Sequence, residues 1–249
     1  MKHYRLLSDL HRENGWEEPK NLMFSIVSCQ AKCPLGHRTF TSDAYVVAYK
    51  KMKPGLSMYG QTSFDHTNGC IFFIKPGQLI ELKHQEFEEQ GFMLLIDRNY
   101  LFANCLCEYI DEYGYFNYHI HEALHLSPAE ENIIWELYRK IDQEYHAHPD
   151  EHSREIILSH IASLLRYVQR FYKRQFIDRF QITSQTVYQF NLALAEQLKN
   201  LANLKNQEQL LKKIAATLGF SPAYLNDLLK QETGRTAIEM INNSSIGIS

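Results

Sequence analysis

Residues 211–234, LKKIAATLGFSPAYLNDLLKQETG, constrain this chain more than any other stretch, because they fit two short helices joined by one tight turn. Ile214 and Ala215 fall on the inner face of a first helix, which Leu218 closes. Gly219 stands where the chain reverses, at a position that tolerates positive φ only without a Cβ. Ser221 is placed to cap a second helix with Pro222 at its first position, and Leu225, Leu228 and Leu229 recur there at three- and four-residue steps. The small Ala215 suits the closest approach of two steeply crossed helices. This spacing predicts a helix-turn-helix. Ser221, Ala223, Tyr224, Asn226, Asp227, Lys230 and Gln231 then form its outer edge. That edge is expected to meet double-stranded DNA in the major groove, with Tyr224, Asn226 and Lys230 as the leading contacts. The competing reading is a pair of amphipathic helices packed inside a helical domain.

Upstream, the period of the apolar residues changes twice. Residues 22–29, 45–49, 70–74 and 92–96 are short apolar runs, separated by the turn signals CPLG (33–36), KPG (53–55), TNG (67–69) and KPG (75–77). They predict strands in a barrel or sandwich over residues 1 to about 103. Along residues 45–50, Tyr45, Val47 and Tyr49 alternate with Val46, Ala48 and Lys50, as on a strand with two differently occupied faces. From Ser127 onward the period is helical. Ser127 and Glu130 form a capping box, followed by Ile134, Leu137, Ile141 and Tyr145. The HPD break at 148–150 ends that helix, and a second one spans about 151–176.

That second helix carries Ile157, Ile161, Leu164, Val168 and Phe171 at alternating steps of four and three, the seam of a helix pair. The seam fits either a dimer helix or packing within the chain. Arg166, Arg170, Lys173, Arg174 and Arg179 are opposed only by Asp178, and read either as a solvated face or as an approach surface for phosphates. Residues 177–186 look like a linker. Phe190, Leu194, Leu198 and Leu201 then stripe a helix that leads, through NLKN at 203–206, into the helix-turn-helix.

A net charge of −3 excludes a chain coated in basic surface, so any nucleic-acid contact must be local. The five cysteines, Cys29, Cys33, Cys70, Cys105 and Cys107, are odd in number and lack the spacing of zinc or thioredoxin-like motifs, which predicts reduced thiols. The polar N-terminus carries no signal peptide, and no apolar run is long enough to cross a bilayer, so a cytoplasmic protein without membrane contact is expected.

Twelve histidines invite a metalloenzyme reading, best placed at His119 and His121 with His125 nearby. On a strand, however, Glu122 would point away from the two histidines, and no glutamate follows at cupin spacing. No metal, no cofactor and no catalytic residue is therefore expected. Gly-rich phosphate loops and nucleophile motifs are absent, which argues against an enzyme. Tyr45, Tyr49, Phe72 and Phe92, among other strand aromatics, are candidates to line a pocket for a small-molecule effector, or else plain core.

The segment GFSPAYLNDLLKQETGRTAIEMI resembles the first of the two helix-turn-helix units of AraC-family transcription regulators, including Thr233, Gly234, Arg235, Thr236 and Ile238. FNYHIHEALHLS at 116–127 resembles the barrel-to-connector junction of regulators with that architecture. The resemblance implies an α+β fold in three parts. These are an N-terminal cupin-like sensor β-barrel over residues 1–126, an all-α connector with dimerisation helices over 127–180, and a partial helix-turn-helix domain over 181–249. It further implies a ligand-responsive, homodimeric DNA-binding regulator. Where the family continues into a second unit, this sequence runs from Ile241 into NNSSIGIS, and Asn242, Asn243, Ser244, Ser245 and Gly247 predict turn or disorder. Sequence-specific binding is accordingly expected to be weakened or lost. The alternatives are an effector-binding and dimerisation protein without DNA binding, and a small-molecule cupin enzyme.

Overall fold

The apolar runs pair into strands, and the capped stretches into helices, within two separate units. The computed structural model describes residues 2–29, 38–51, 69–82, 91–102, 104–178, 180–200 and 206–246. The turn signals at 33–36 and 53–55, most of 67–69, the cysteine Cys33 and residues 201–205 lie outside these. The first unit comprises Met1–Phe116 and Ala123–Gln169, and the second Asn117–Glu122 and Arg170–Ser249.

In the first unit, β1 (Lys2–Tyr4) precedes α1 (Leu7–Asn14), followed by β2 (Phe24–Cys29), β3 (Arg38–Ser42), β4 (Ala44–Lys50), β5 (Cys70–Ile74), β6 (Ile80–Leu82) and β7 (Gly91–Asp97). A 3₁₀ turn at Arg98–Leu101, the short α2 (Leu106–Tyr109) and three further 3₁₀ turns, the last of them (Ile120–Glu122) in the second unit, precede β8 (Leu124–His125), α3 (Pro128–His146) and the start of α4 (Ser153–Asp178). The larger sheet runs β2-β7-β4-β5-β8, antiparallel throughout, and the smaller runs β1-β3-β6.

The expected cupin-like barrel is overturned. Among the described residues the strands form two open sheets, and the edge strands β2 and β8 of the larger one do not pair with each other. Closure needs every strand hydrogen-bonded on both sides at a matched tilt. Here β8 is only 2 residues long, and the face that a barrel would enclose is covered by helix and turn side chains instead. Tyr49 stands opposite Phe92 and Ile71 in the register, and Val47 opposite Leu94 and Phe73, so these rings share one face. Onto it pack Phe116, which meets Tyr45 and Phe73, and Trp135 and Tyr138 of α3, which meet Phe92. On the opposite face, buried His11 of α1 reaches the Ser25 hydroxyl at 2.9 Å. Cover on both sides explains why β4 is buried from Ala44 to Tyr49 rather than half-exposed.

The capping box of α3 forms as the sequence predicts: the Ser127 hydroxyl accepts from the Glu130 N–H, and the Glu130 carboxylate accepts from the Ser127 N–H at 2.8 Å. Ser127→Ala is expected to lower the stability of the first unit by about 1 kcal/mol, read from urea unfolding followed by Trp135 fluorescence.

The second unit holds the end of α4, α5 (Phe180–Asn200), α6 (Gln207–Leu218), α7 (Pro222–Thr233) and α8 (Ala237–Ile246). Its core joins Phe190 and Leu194 of α5 to Leu210, Leu211, Ile214 and Ala215 of α6, Leu225 and Leu229 of α7, and Ala237 and Ile241 of α8. Two expectations fail here. The stretch read as a linker is helical apart from residue 179, which lies outside the described residues; Thr186 is buried and Ser184 donates to Glu232 at 3.1 Å. Asn242 to Ser245 continue a helix rather than a turn. A Thr236–Glu239 capping box starts α8, and Ala237 and Ile241 anchor it in the core, which outweighs the weak propensity of Asn and Ser.

Candidate nucleic-acid interface

Helices α6 and α7 meet in the manner their sequence dictates. Asn206 caps α6, its side chain accepting from the N–H groups of Glu208 and Gln209. Gly219 ends α6 at φ 76°, and the Phe220 N–H closes the turn on the Ala215 carbonyl at 2.9 Å. Ser221 caps α7 by accepting from the Tyr224 N–H at 3.2 Å, with Pro222 in the first turn. Ala215, Leu225 and Leu229 are wholly buried at the crossing, and Gly234 ends α7 at φ 71°.

The outer edge of α7 is not free along its length. Tyr224, expected to reach bases, is only 3% exposed. The rings of Tyr118, Phe176 and Phe220 surround it at centroid distances of 5.1, 5.1 and 5.6 Å. Asp227 accepts the Tyr118 hydroxyl at 2.6 Å. Burial and that carboxylate together hold the Tyr118 phenol well above its ordinary pKa. Ser221 is buried under Glu122, which accepts both its N–H, at 2.7 Å, and its hydroxyl. Asn226 accepts from the Ala237 N–H at 3.1 Å and so serves the first turn of α8. Ala223 is half-buried, whereas Lys230 and Gln231 are exposed, together with Lys212, Lys213 and Arg235 nearby. Of the seven edge residues, then, Ser221, Tyr224, Asn226 and Asp227 are engaged inside the unit. The expectation that all seven stand open to a groove is corrected: the end of the edge nearer Ser221 packs on the segment Asn117–Glu122.

Tyr118 and Glu122 are the residues that sequence reasoning missed. They lie 109 and 99 positions from their partners on α7, and no local periodicity reports a contact at that separation.

Other sequence candidates fall elsewhere. Tyr45, Tyr49 and Phe92 are buried in the first unit, with the Tyr45 and Tyr49 hydroxyls donating to Asp111 and Glu131, both at 2.6 Å. Phe72 pairs with Ala48 and so lies on the opposite face of the sheet. These four residues cannot line one pocket. Ile157, Ile161, Leu164, Val168 and Phe171 are at most 5% exposed in the single chain, so the seam on α4 is covered within it. Arg166, Arg170 and Lys173 are exposed on α4; Arg179 lies outside the described residues. Burial pushes the Cys70 thiol up to about 11, so the thiol form is favoured at neutral pH.

Residues Ile120–Glu122 form a 3₁₀ turn, with the Glu122 N–H bonded to the His119 carbonyl at 2.8 Å. The tighter turn brings Glu122 to the same side as His119 and His121, and the three ligand atoms lie within 4.8 Å of one another. The expectation that Glu122 points away is thereby corrected.

Among the described residues no helix is long and apolar enough to cross a membrane. No family model, curated protein or solved structure matches the chain.

Proposed function

We propose that α6 and α7 are a DNA-reading helix-turn-helix of the AraC type, and that the segment Asn117–Glu122 keeps the Ser221 end of its reading edge covered. The observation that carries this reading is the joint geometry of the turn. A left-handed Gly219, a capped Ser221–Pro222 start and a fully buried Ala215 at the crossing are what a helix needs to be held out at a fixed angle for a groove. The resemblance of residues 219–241 to AraC-family regulators supports the same reading.

In the covered state the exposed groups are Lys212, Lys213, Lys230, Gln231 and Arg235. Four of these are cations placed to hold phosphates, and with Ser221, Tyr224 and Asn226 engaged inside the unit too few groups are left to read a run of bases, so binding is weak, nearly sequence-indifferent and salt-dependent. Sequence reading requires Tyr224 to be released from Tyr118. The test is selection of duplexes from a randomised pool at about 150 mM salt, using the chain as it stands and Tyr118→Ala. The natural chain should enrich no sequence. Tyr118→Ala should enrich one and bind it roughly tenfold or more tighter than the natural chain does, with Lys230→Ala cutting that gain. Failure of both proteins to enrich any sequence overturns the proposal.

One observation favours a second reading. The Tyr118–Asp227 and Glu122–Ser221 contacts bury polar groups as a structural joint would, and in that reading α6 and α7 are a packing module without DNA contact. The same selection separates the two.

A further inference from the structure

The Glu122 carboxylate is an unusual group to find so deep in the second unit. Its side chain is 3% exposed, yet among the described residues no lysine or arginine pairs with it. The donors that hold it are the Ser221 N–H, the Ser221 hydroxyl and the His119 N–H. Buried carboxylates are normally matched by a cation or ligate a metal. A carboxylate offers about four acceptor positions. Oε2 takes two of these donors and Oε1 takes one, which leaves one position on Oε1. That oxygen is 3.9 Å from His119 Nδ1, and the His121 ring lies 5.1 Å from the His119 ring. Both imidazoles are exposed, so a cation has a path from solvent.

We propose that His119, His121 and Glu122 form a binding site for a divalent transition metal of the zinc class. Two imidazole nitrogens and one carboxylate oxygen suit zinc, and ligand atoms within 4.8 Å of one another need only side-chain rotation to close on a tetrahedral centre. Solvent supplies the fourth position. The same carboxylate holds the N-terminus of α7 through Ser221, so metal and helix start share one group, and the metal supplies the positive charge that buried Glu122 lacks. The site stands independently of the proposed DNA binding.

The test uses the full chain and zinc chloride in isothermal titration, with cobalt(II) absorption as a second probe. One zinc should bind per chain, and His119→Gln/His121→Gln should weaken it by roughly 100-fold or more, while the exposed pair His148→Gln/His152→Gln leaves it unchanged. Both variants alter exposed side chains and should keep the natural circular dichroism. Zinc should raise the melting temperature of the natural chain and not that of the His119/His121 variant. Cobalt should show no strong thiolate charge-transfer band, because the donors are nitrogen and oxygen. Zinc binding that survives the His119/His121 change, a thiolate-dominated cobalt spectrum, or no binding at millimolar zinc would each overturn the site.

Discussion

Replacing Glu122 by alanine is expected to destabilise the second unit by about 3 kcal/mol. The loss comes from the groups the carboxylate leaves behind rather than from missing apolar contact. Ser221 N–H and His119 N–H each give up a charge-assisted acceptor at 2.7 Å, and Ser221 is 1% exposed, so water cannot replace it. A buried donor left unpaired costs its full desolvation. Glu122→Gln keeps one acceptor oxygen and should cost roughly a third as much. Trp16 and Trp135 both belong to the first unit, so their fluorescence will miss this change. Amide hydrogen exchange of α7 will report it, as faster exchange at residues 224–229 with the sheet unaffected.

Phe92→Ala should be the most damaging change in the first unit, at about 3 to 5 kcal/mol. Phe92 has no exposed surface; it stacks on Tyr138 at 4.0 Å and on Tyr49 at 5.5 Å, and meets Trp135 edge-on at 5.4 Å. Its removal takes a ring from a cluster in which sheet and helix share each other's aromatic faces, and the backbones of β7 and α3 cannot close the gap. Chemical denaturation followed by fluorescence will show the loss directly, because Trp135 lines the cavity. A midpoint within error of the natural chain would mean that this cluster does not hold α3 to the sheet.

These two sites show which parts of the structure were legible in the sequence. Local rules held where neighbours along the chain decide the outcome. The Gly219 turn, the Ser221 and Ser127 caps and the stripe from Ile157 to Val168 all depend on residues within a few positions of each other. Properties set by distant partners were not legible. Alternation in residues 45–50 is compatible with a barrel, a sandwich or an open sheet, and the choice was made by Phe116, Trp135 and Tyr138 arriving to cover one face. Thr186 and Asn242 read as linker and turn because their propensities are weak, yet packing of α5 and α8 around Ala215 and Leu225 overrides propensity. At the candidate interface, helical phase sets Tyr224 and Asp227 apart from Leu225 and Leu229, which face the core of the unit. The sequence held no sign that Tyr118 occupies that edge. Only the side taken by Glu122 was misplaced: on a strand it would point away from the histidines, whereas a 3₁₀ turn gathers His119, His121 and Glu122 together.

The cover over α7 is tested most directly by hydroxyl-radical labelling of the intact chain, read residue by residue by mass spectrometry. Tyr224, at 3% exposure, and Tyr118 should stay unlabelled under conditions that modify Tyr188, which is 64% exposed. Labelling of Tyr224 at a rate comparable to Tyr188 would show the reading edge to be open and would contradict the account.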